Sequence, residues 1–340
     1  SHAAMPGAAA NPCPICGEAA PLLRAGYAGY RAPTTFDIHA CDKCDLQFAW
    51  PFKSDGGVYD AIYKQPEKLS GYDRYLRLRN AVRDSVEPLA TLSDFEAMYW
   101  FIADRVKALD PDRKAKILEV GCGLGYLTHA LKTAGHDIRG LDISSSAVEA
   151  AKQTYGPYYV CADVNVFPAT TDERFDIIVM TEVVEHLEEP LAVLSSLRAL
   201  LKPGGVALVS TPSKDFLPQS AVWRTDNPPV HLAWYSKTSL REMARRTQFR
   251  ISFADFRGYN TAKVAGLEAP RDLASGAGAF RLSPDNQPLD TLSPPRTETF
   301  VNQALPDLRR IERRAKYIRR ALELYAEQAD VLGAIFQRVD

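Results

Sequence analysis

The stretch Ile117-Leu118-Glu119-Val120-Gly121-Cys122-Gly123-Leu124-Gly125 is the most restrictive feature of this 340-residue chain. An apolar run of buried-strand length gives way to three glycines at alternate positions, and a helical pattern follows from Tyr126 to Ala134. Glycine at such positions lets the backbone turn tightly and pass close to a ligand with no Cβ in the way. Strand and helix patterns then alternate. Strands are expected at Asp137–Leu141, Tyr158–Cys161, Phe175–Met180, Val206–Ser210 and Phe249–Asp255. Helices are expected at Ser145–Tyr155, Pro190–Leu201 and Ser239–Arg246. Alternation at this spacing predicts an α/β fold, a parallel sheet covered on both faces.

Ahead of this domain stand two thiol pairs, Cys13-Pro14-Ile15-Cys16-Gly17 and Cys41-Asp42-Lys43-Cys44. Two cysteines two residues apart bring both sulfurs to one ion across a tight turn, so two such knuckles supply a closed tetrahedral zinc site. With no open position for water, the expected role of Cys13, Cys16, Cys41 and Cys44 is structural, apart from the reaction centre. About 40 residues cannot build a sufficient core alone, and a metal substitutes for it. Paired knuckles without a secretory leader favour bound zinc over disulfides, hence a cytoplasmic setting. No stretch approaches the roughly 20 apolar residues of a membrane span. The net charge of −1 argues against a bulk polyanion binder such as nucleic acid.

The second strand closes on Leu141-Asp142, and an acid there is placed to bind ribose hydroxyls, which serves dinucleotides and S-adenosylmethionine alike. A dinucleotide turn calls for a further glycine where this chain has Tyr126. Five segments in order resemble class I S-adenosylmethionine-dependent methyltransferases: Glu119–Gly125, Asp142, Cys161-Ala162-Asp163, Phe175–Leu187 and Leu201-Lys202-Pro203-Gly204-Gly205. The resemblance covers residues 115–265 and implies a seven-stranded Rossmann-like sheet. It implies that Glu119, Gly121, Cys122, Gly123, Gly125, Asp142, Ile143, Asp163, Val164, Thr181 and Glu182 surround the cofactor. It also implies a lid from the preceding segment, with Tyr72 and Arg74 beside Tyr75.

Methyl transfer from a sulfonium needs an acceptor oxygen held in line, water excluded and the acceptor's proton removed. Candidates for that work follow the ends of the fourth and fifth strands: Glu182, Glu185 and His186, with His231 downstream. Glu182 and Glu185 are three apart, so a helical turn is expected to set them on one face. The Glu-x-x-Glu-His pattern is similar to that of ubiquinone-pathway O-methyltransferases. It also resembles small-RNA terminal 2′-O-methyltransferases, in which such residues hold a divalent ion; by that resemblance magnesium or manganese would lower the pKa of a bound hydroxyl. Trp223–Pro229 reads as a substrate-facing loop in which Arg224 is available to a phosphate or carboxylate.

The expected division is a zinc module at 11–50, a helical lid at 51–110 and a catalytic domain at 111–265. A Pro/Gly/Ser-rich mobile loop at 266–300 and a long C-terminal helix at 301–340 complete it. Within the lid the periodicity predicts helices around Tyr72–Val86 and Phe95–Leu109. In the last segment Leu308, Ile311, Ala315, Ile318, Leu322, Tyr325, Ala329, Leu332 and Phe336 step by three and four, which predicts a seam that packs on the chain's own catalytic domain or the 51–110 helices or, the favoured reading, pairs in a homodimer. The function that follows is transfer of a methyl group from S-adenosylmethionine to a hydroxyl of a small molecule or sugar. The alternatives are an RNA methyltransferase that reads RNA with the zinc module, and a non-catalytic binding protein of the same fold.

Overall fold

The computed structural model describes residues 10–69, 72–216, 221–223, 227–260, 273–275, 280–289 and 330–340. The N-terminal module contributes β1 (Leu22–Ala28), β2 (Thr35–Ala40) and β3 (Gln47–Trp50), joined in one antiparallel meander. Among the described residues of 51–110 there are four α-helices and a short 3-10 turn, Pro66–Lys68, rather than two helices. The α-helices are α1 (Gly56–Lys64), α2 (Asp73–Arg83), α3 (Pro88–Phe95) and α4 (Ala97–Leu109). The two expected helices are α2 and α4. The others begin on start signals with little periodicity behind them: Asp55 caps Gly57 and Val58, and Pro88 opens α3.

The segment that follows alternates strand and helix as expected. Its elements are β4 (Lys116–Val120), α5 (Tyr126–Thr133), β5 (Asp137–Asp142), α6 (Ser145–Tyr155), β6 (Tyr159–Cys161), β7 (Phe175–Thr181), α7 (Pro190–Leu200) and β8 (Leu201–Pro212). A two-residue β9 (Ala233–Trp234), then α8 (Lys237–Arg246), β10 (Phe249–Phe253) and β11 (Val331–Arg338) follow. Seven strands form one sheet in the order β10-β11-β8-β7-β4-β5-β6. The sheet is mixed, because β11 runs antiparallel to both its neighbours, β8 and β10.

Ile177-Ile178-Val179-Met180 on β7 is apolar throughout because both faces are covered. Ile177 and Val179 pack with Phe101, Leu127 and Leu208 on the α4–α5 side. Ile178 and Met180 pack with Leu194, Leu197 and Phe336 on the α7 side. That second core is continuous with the N-terminal module and includes all four knuckle cysteines, Leu46 and Phe48. α8 begins on a Ser236/Ser239 capping box and packs on the same core through Leu240 and Met243.

β11 corrects the expected C-terminal helix. Residues 301–329, with most of the proposed seam, lie outside the described residues, so the homodimer reading gains nothing from the fold. Leu332 and Phe336, read as the end of that seam, are strand residues buried in the sheet. A strand covered on both faces loses its period of two, and a four-residue step then imitates a helix. Gly333 fits the strand: a Cβ there would sit 2.9 Å from Ala254 Cβ and 3.0 Å from the Phe101 ring. Part of the expected mobile loop is likewise anchored. Leu282 is fully buried and donates its N–H to Tyr30 O, while Ala32 N–H donates to Leu282 O. Among the described residues no helix is long and apolar enough to cross a membrane.

Candidate active site

The glycine-rich turn joins β4 to α5 at the carboxyl edge of the sheet. Gly121, Gly123 and Gly125 all have positive φ, at 76°, 48° and 79°. They are needed for different reasons. A Cβ at Gly125 would strike Tyr159 and Ala151 at 2.6–2.7 Å, and one at Gly121 would strike Val183 at 2.4 Å. A Cβ at Gly123 would meet nothing within 4 Å, so this residue faces open space. Asp142 lies beside it at the tip of β5. Its carboxylate accepts from Gly123 N–H at 2.7 Å and from Ser144 N–H at 2.9 Å. Burial nevertheless raises the Asp142 pKa. Ile143 next to it is 72% exposed, an apolar side chain set over the same edge. Asp163 turns the chain after β6 by accepting from Asn165 N–H, and Val164 packs on the core beside it. Cys122 is buried beneath the turn, and burial pushes its thiol up, out of the nucleophile range.

Glu119 lies under the turn rather than on its open side. It is buried, and Thr128 on α5 donates its hydroxyl to the carboxyl. Burial pushes its pKa up from 4.5 to about 8. The unfolded chain releases this proton near 4.5 while the folded chain holds it. Stability is therefore lost as pH rises between those values. Glu119→Gln is expected to escape that loss. Its stability advantage over the wild type should grow from near zero at pH 4 to a few kcal/mol, on the order of 3, at pH 8. Parallel urea titrations at the two pH values check this; an advantage that does not change with pH would mean the carboxyl is ionised in the fold.

Arg74 on α2 forms an ion pair with Glu96 at 2.9 Å, and its guanidinium stands 5.0 Å over the Tyr75 ring. Its charge reaches Glu185, His186 and His231. Tyr72 is buried and packs edge-on against Tyr30 of the N-terminal module. Arg224 lies outside the described residues.

The segment after β7 differs from the expected helical turn. Thr181 ends the strand, and Glu182 takes a left-handed backbone with φ 52°. Glu182 accepts from Ser210 Oγ at 3.0 Å, while Glu185 accepts from Thr211 Oγ1 at 2.9 Å. A single 3-10 turn, Val184–His186, begins only after Glu182. The two carboxylates are thereby held by separate residues of β8. What the fold brings together is Glu185, His186 and His231, with ligand-type atoms within 4.8 Å of one another.

Within this cluster one contact assigns the His186 tautomer. His186 Nδ1 is 2.6 Å from Val230 O. A carbonyl only accepts, so Nδ1 carries the proton and Nε2 of the neutral ring presents its lone pair. Nε2 lies 3.8 Å from Glu185 Oε1, a buried oxygen with no hydrogen bond. The His231 ring stands edge-on to His186 at 4.7 Å between centroids. Burial pushes Glu185 up to about 7, against the hydrogen bonds it accepts and the Arg74 charge. Burial also pulls His186 down to about 4 and His231 well below its usual range.

Two residues of this site, Tyr59 and Thr211, carry no sequence signal. Tyr59 on α1 donates its hydroxyl to Val230 O at 2.9 Å and lies 3.2 Å from His186 Nδ1. Thr211 is the donor to Glu185. Tyr235 donates its hydroxyl to Val184 O at 3.2 Å. The first is 127 residues from its partner, and only the fold joins them.

The four knuckle sulfurs also lie within 4.8 Å of one another, all buried. Cys13–Cys44 and Cys16–Cys41 are 3.5 and 3.3 Å apart. That is beyond the ~2.05 Å of a disulfide and near the edge length of a tetrahedron with ~2.3 Å Zn–S bonds. The buried Tyr235 packs in the same core as these cysteines and senses the charge of Glu185 and that of Cys13 and Cys44.

Residues 95–252 match the family model described as a methyltransferase domain. A ubiquinone biosynthesis O-methyltransferase from Coxiella burnetii is 34% identical over 149 residues, 38% of this chain and 63% of that protein. The one from Haemophilus ducreyi is 36% identical over 105 residues, 28% of this chain and 44% of its own length. The chain thus spans less than two thirds of the curated relatives it matches. Among solved structures, an S-adenosylmethionine-dependent methyltransferase from Archaeoglobus fulgidus aligns with TM-score 0.41 at 14% identity, over 70% of this chain and 94% of that one.

Proposed function

We propose that this chain, whose residues 95–252 match a methyltransferase domain, uses S-adenosylmethionine to methylate a hydroxyl of a small molecule or sugar with His186 as the proton acceptor. One observation carries the reading: His186 Nδ1–H is committed to Val230 O, which leaves Nε2 as a lone pair beside the Glu185 carboxyl. Bound S-adenosylmethionine supplies an electrophilic methyl group on a positively charged sulfur. The residues present fit it, because Gly123 faces open space, Asp142 offers a carboxylate at the strand tip, and Ile143 gives an exposed apolar surface. As the acceptor oxygen gains the methyl carbon, its proton passes to Nε2. The resulting imidazolium is held between the Val230 carbonyl and the Glu185 carboxylate. Arg74 and the lid tyrosines close the space against water. The ubiquinone-pathway relatives act by name on oxygen, which favours a hydroxyl over other acceptors.

A second reading uses the same cluster as a metal site. Two imidazoles and one carboxylate suit a borderline cation such as zinc or iron, whereas magnesium prefers an all-oxygen shell. Such an ion would polarise the acceptor oxygen. Full turnover in a mild chelator, with the cysteine-bound zinc retained, would leave the acid–base reading alone.

Cofactor binding is tested by calorimetry. Asp142→Ala is expected to weaken S-adenosylmethionine binding at least about tenfold, since each charge-assisted hydrogen bond is worth about 1.5–3 kcal/mol. Unchanged affinity would remove β5 from the cofactor site. A methyl-transfer screen against sugars, phenols and RNA then identifies the acceptor class.

A further inference from the structure

The cysteine cluster and the histidines stand far apart in sequence, yet one short segment serves both. β9 is the edge strand of the N-terminal meander, paired antiparallel with β3, and it begins two residues after His231. Ala49 N–H donates to Leu232 O at 2.9 Å, and Tyr30 N–H donates to Pro228 O at 2.7 Å. Asn227 Nδ2 donates to Ala28 O at 2.9 Å. The backbone on both sides of His231 is thus tied to the module. From that segment, Val230 O receives His186 Nδ1–H, and Leu232 N–H donates to Glu185 O at 2.8 Å. The glycine-rich turn is held differently. Gly121 and Cys122 donate to Leu141 O, and Gly123 donates to Asp142, all within the central sheet.

We infer that the four-cysteine module, loaded with zinc, is the positioning device for the proton-accepting half of the site. A module this small holds its meander only with its metal. When β3 loses order, β9 loses its strand partner, and residues 227–234 are left with the Tyr59 hydroxyl and their bonds to His186 and Glu185. His231 and the Val230 carbonyl then move, and His186 loses the acceptor that fixes its tautomer. The cofactor half, built on β4 and β5, keeps the hydrogen bonds of its turn within the central sheet. The inference rests on the assignment of His186 as proton acceptor, but its test reads positions rather than turnover.

The experiment compares the full-length zinc-loaded chain with Cys41→Ser by hydrogen-exchange mass spectrometry. Peptides within 227–236 are expected to lose protection by about a hundredfold together with those of 35–50, while peptides within 116–142 change by less than about threefold. In a ¹⁵N-histidine spectrum the Nδ1–H signal of His186, assigned with His186→Gln, should vanish in Cys41→Ser. Affinity for S-adenosylmethionine should stay within about twofold. Stepwise zinc withdrawal from the wild-type chain with a chelator, following the same peptides, repeats the test without a mutation. Retained protection at 227–236 after zinc loss overturns the inference. So does equal loss at 116–142, which would make zinc a requirement of the whole fold. Failure of the zinc-loaded wild type to bind S-adenosylmethionine would instead refute the proposed function, since neither exchange nor the imidazole signal needs the cofactor.

Discussion

His186→Gln is expected to lower turnover by about 10²–10⁴-fold while S-adenosylmethionine affinity stays within about threefold, because positioned proton transfer contributes rate and not cofactor binding. Glutamine keeps a donor for Val230 O and occupies similar volume, so the segment around it should hold. What it lacks is a basic nitrogen where Nε2 stands, 3.8 Å from Glu185 Oε1. The pH profile gives a second readout. His186, pulled down to about 4 by burial, is neutral through the physiological range, so its own titration does not set the acid limb. Glu185, pushed up to about 7, does. Below that value its carboxyl is protonated and no longer stabilises the imidazolium. The wild-type rate should therefore climb as pH rises through about 7, and Glu185→Gln should flatten that limb at a low plateau. An acid limb near 4 in the wild type would shift the controlling group to the histidine itself. Wild-type turnover in His186→Gln would mean that the proton leaves by another route.

Phe336→Asp is expected to leave the chain without a stable fold. Phe336 is 1% exposed in β11, paired with Ala207 on β8 and with Ile251 on β10. Its ring packs edge-on against Phe249 at 5.7 Å. Removing a buried Phe side chain costs about 3–5 kcal/mol, and an unpaired carboxylate placed there adds several more. A total native stability of about 5–15 kcal/mol does not withstand that. Circular dichroism and solubility of the purified variant check it; a soluble variant with the wild-type melting temperature would mean that the strand is dispensable. Were residues 331–338 the end of an exposed helix, the same substitution would cost little. The experiment thus separates the strand from the helix that spacing alone suggests.

The sequence by itself determined what depends on local chemistry. Alternate glycines after an apolar run dictated a strand, a tight turn and a helix, and positive φ at Gly121, Gly123 and Gly125 is that requirement met. Two Cys-x-x-Cys pairs dictated a four-thiol cluster, since each knuckle preorganises its two sulfurs. The acid at the tip of β5 followed from the length of the strand before it. Glu185, His186 and His231 were legible as chemical types that follow strand ends. Tertiary structure decided how they combine. Glu182 left the cluster because its backbone turns left-handed and Ser210 takes its carboxylate, an outcome that a three-residue spacing does not encode. Tyr59 and Thr211 entered the site through contacts far along the chain. The last strand was invisible for a physical reason. A strand buried on both faces has no polar side to mark its period, so Leu332 and Phe336 matched a helical step as well as a sheet. Only pairing with β8 and β10 distinguishes the two. The same holds for β9: two residues carry no strand signal, and their placement beside β3 comes from hydrogen bonds that the module's own fold makes available.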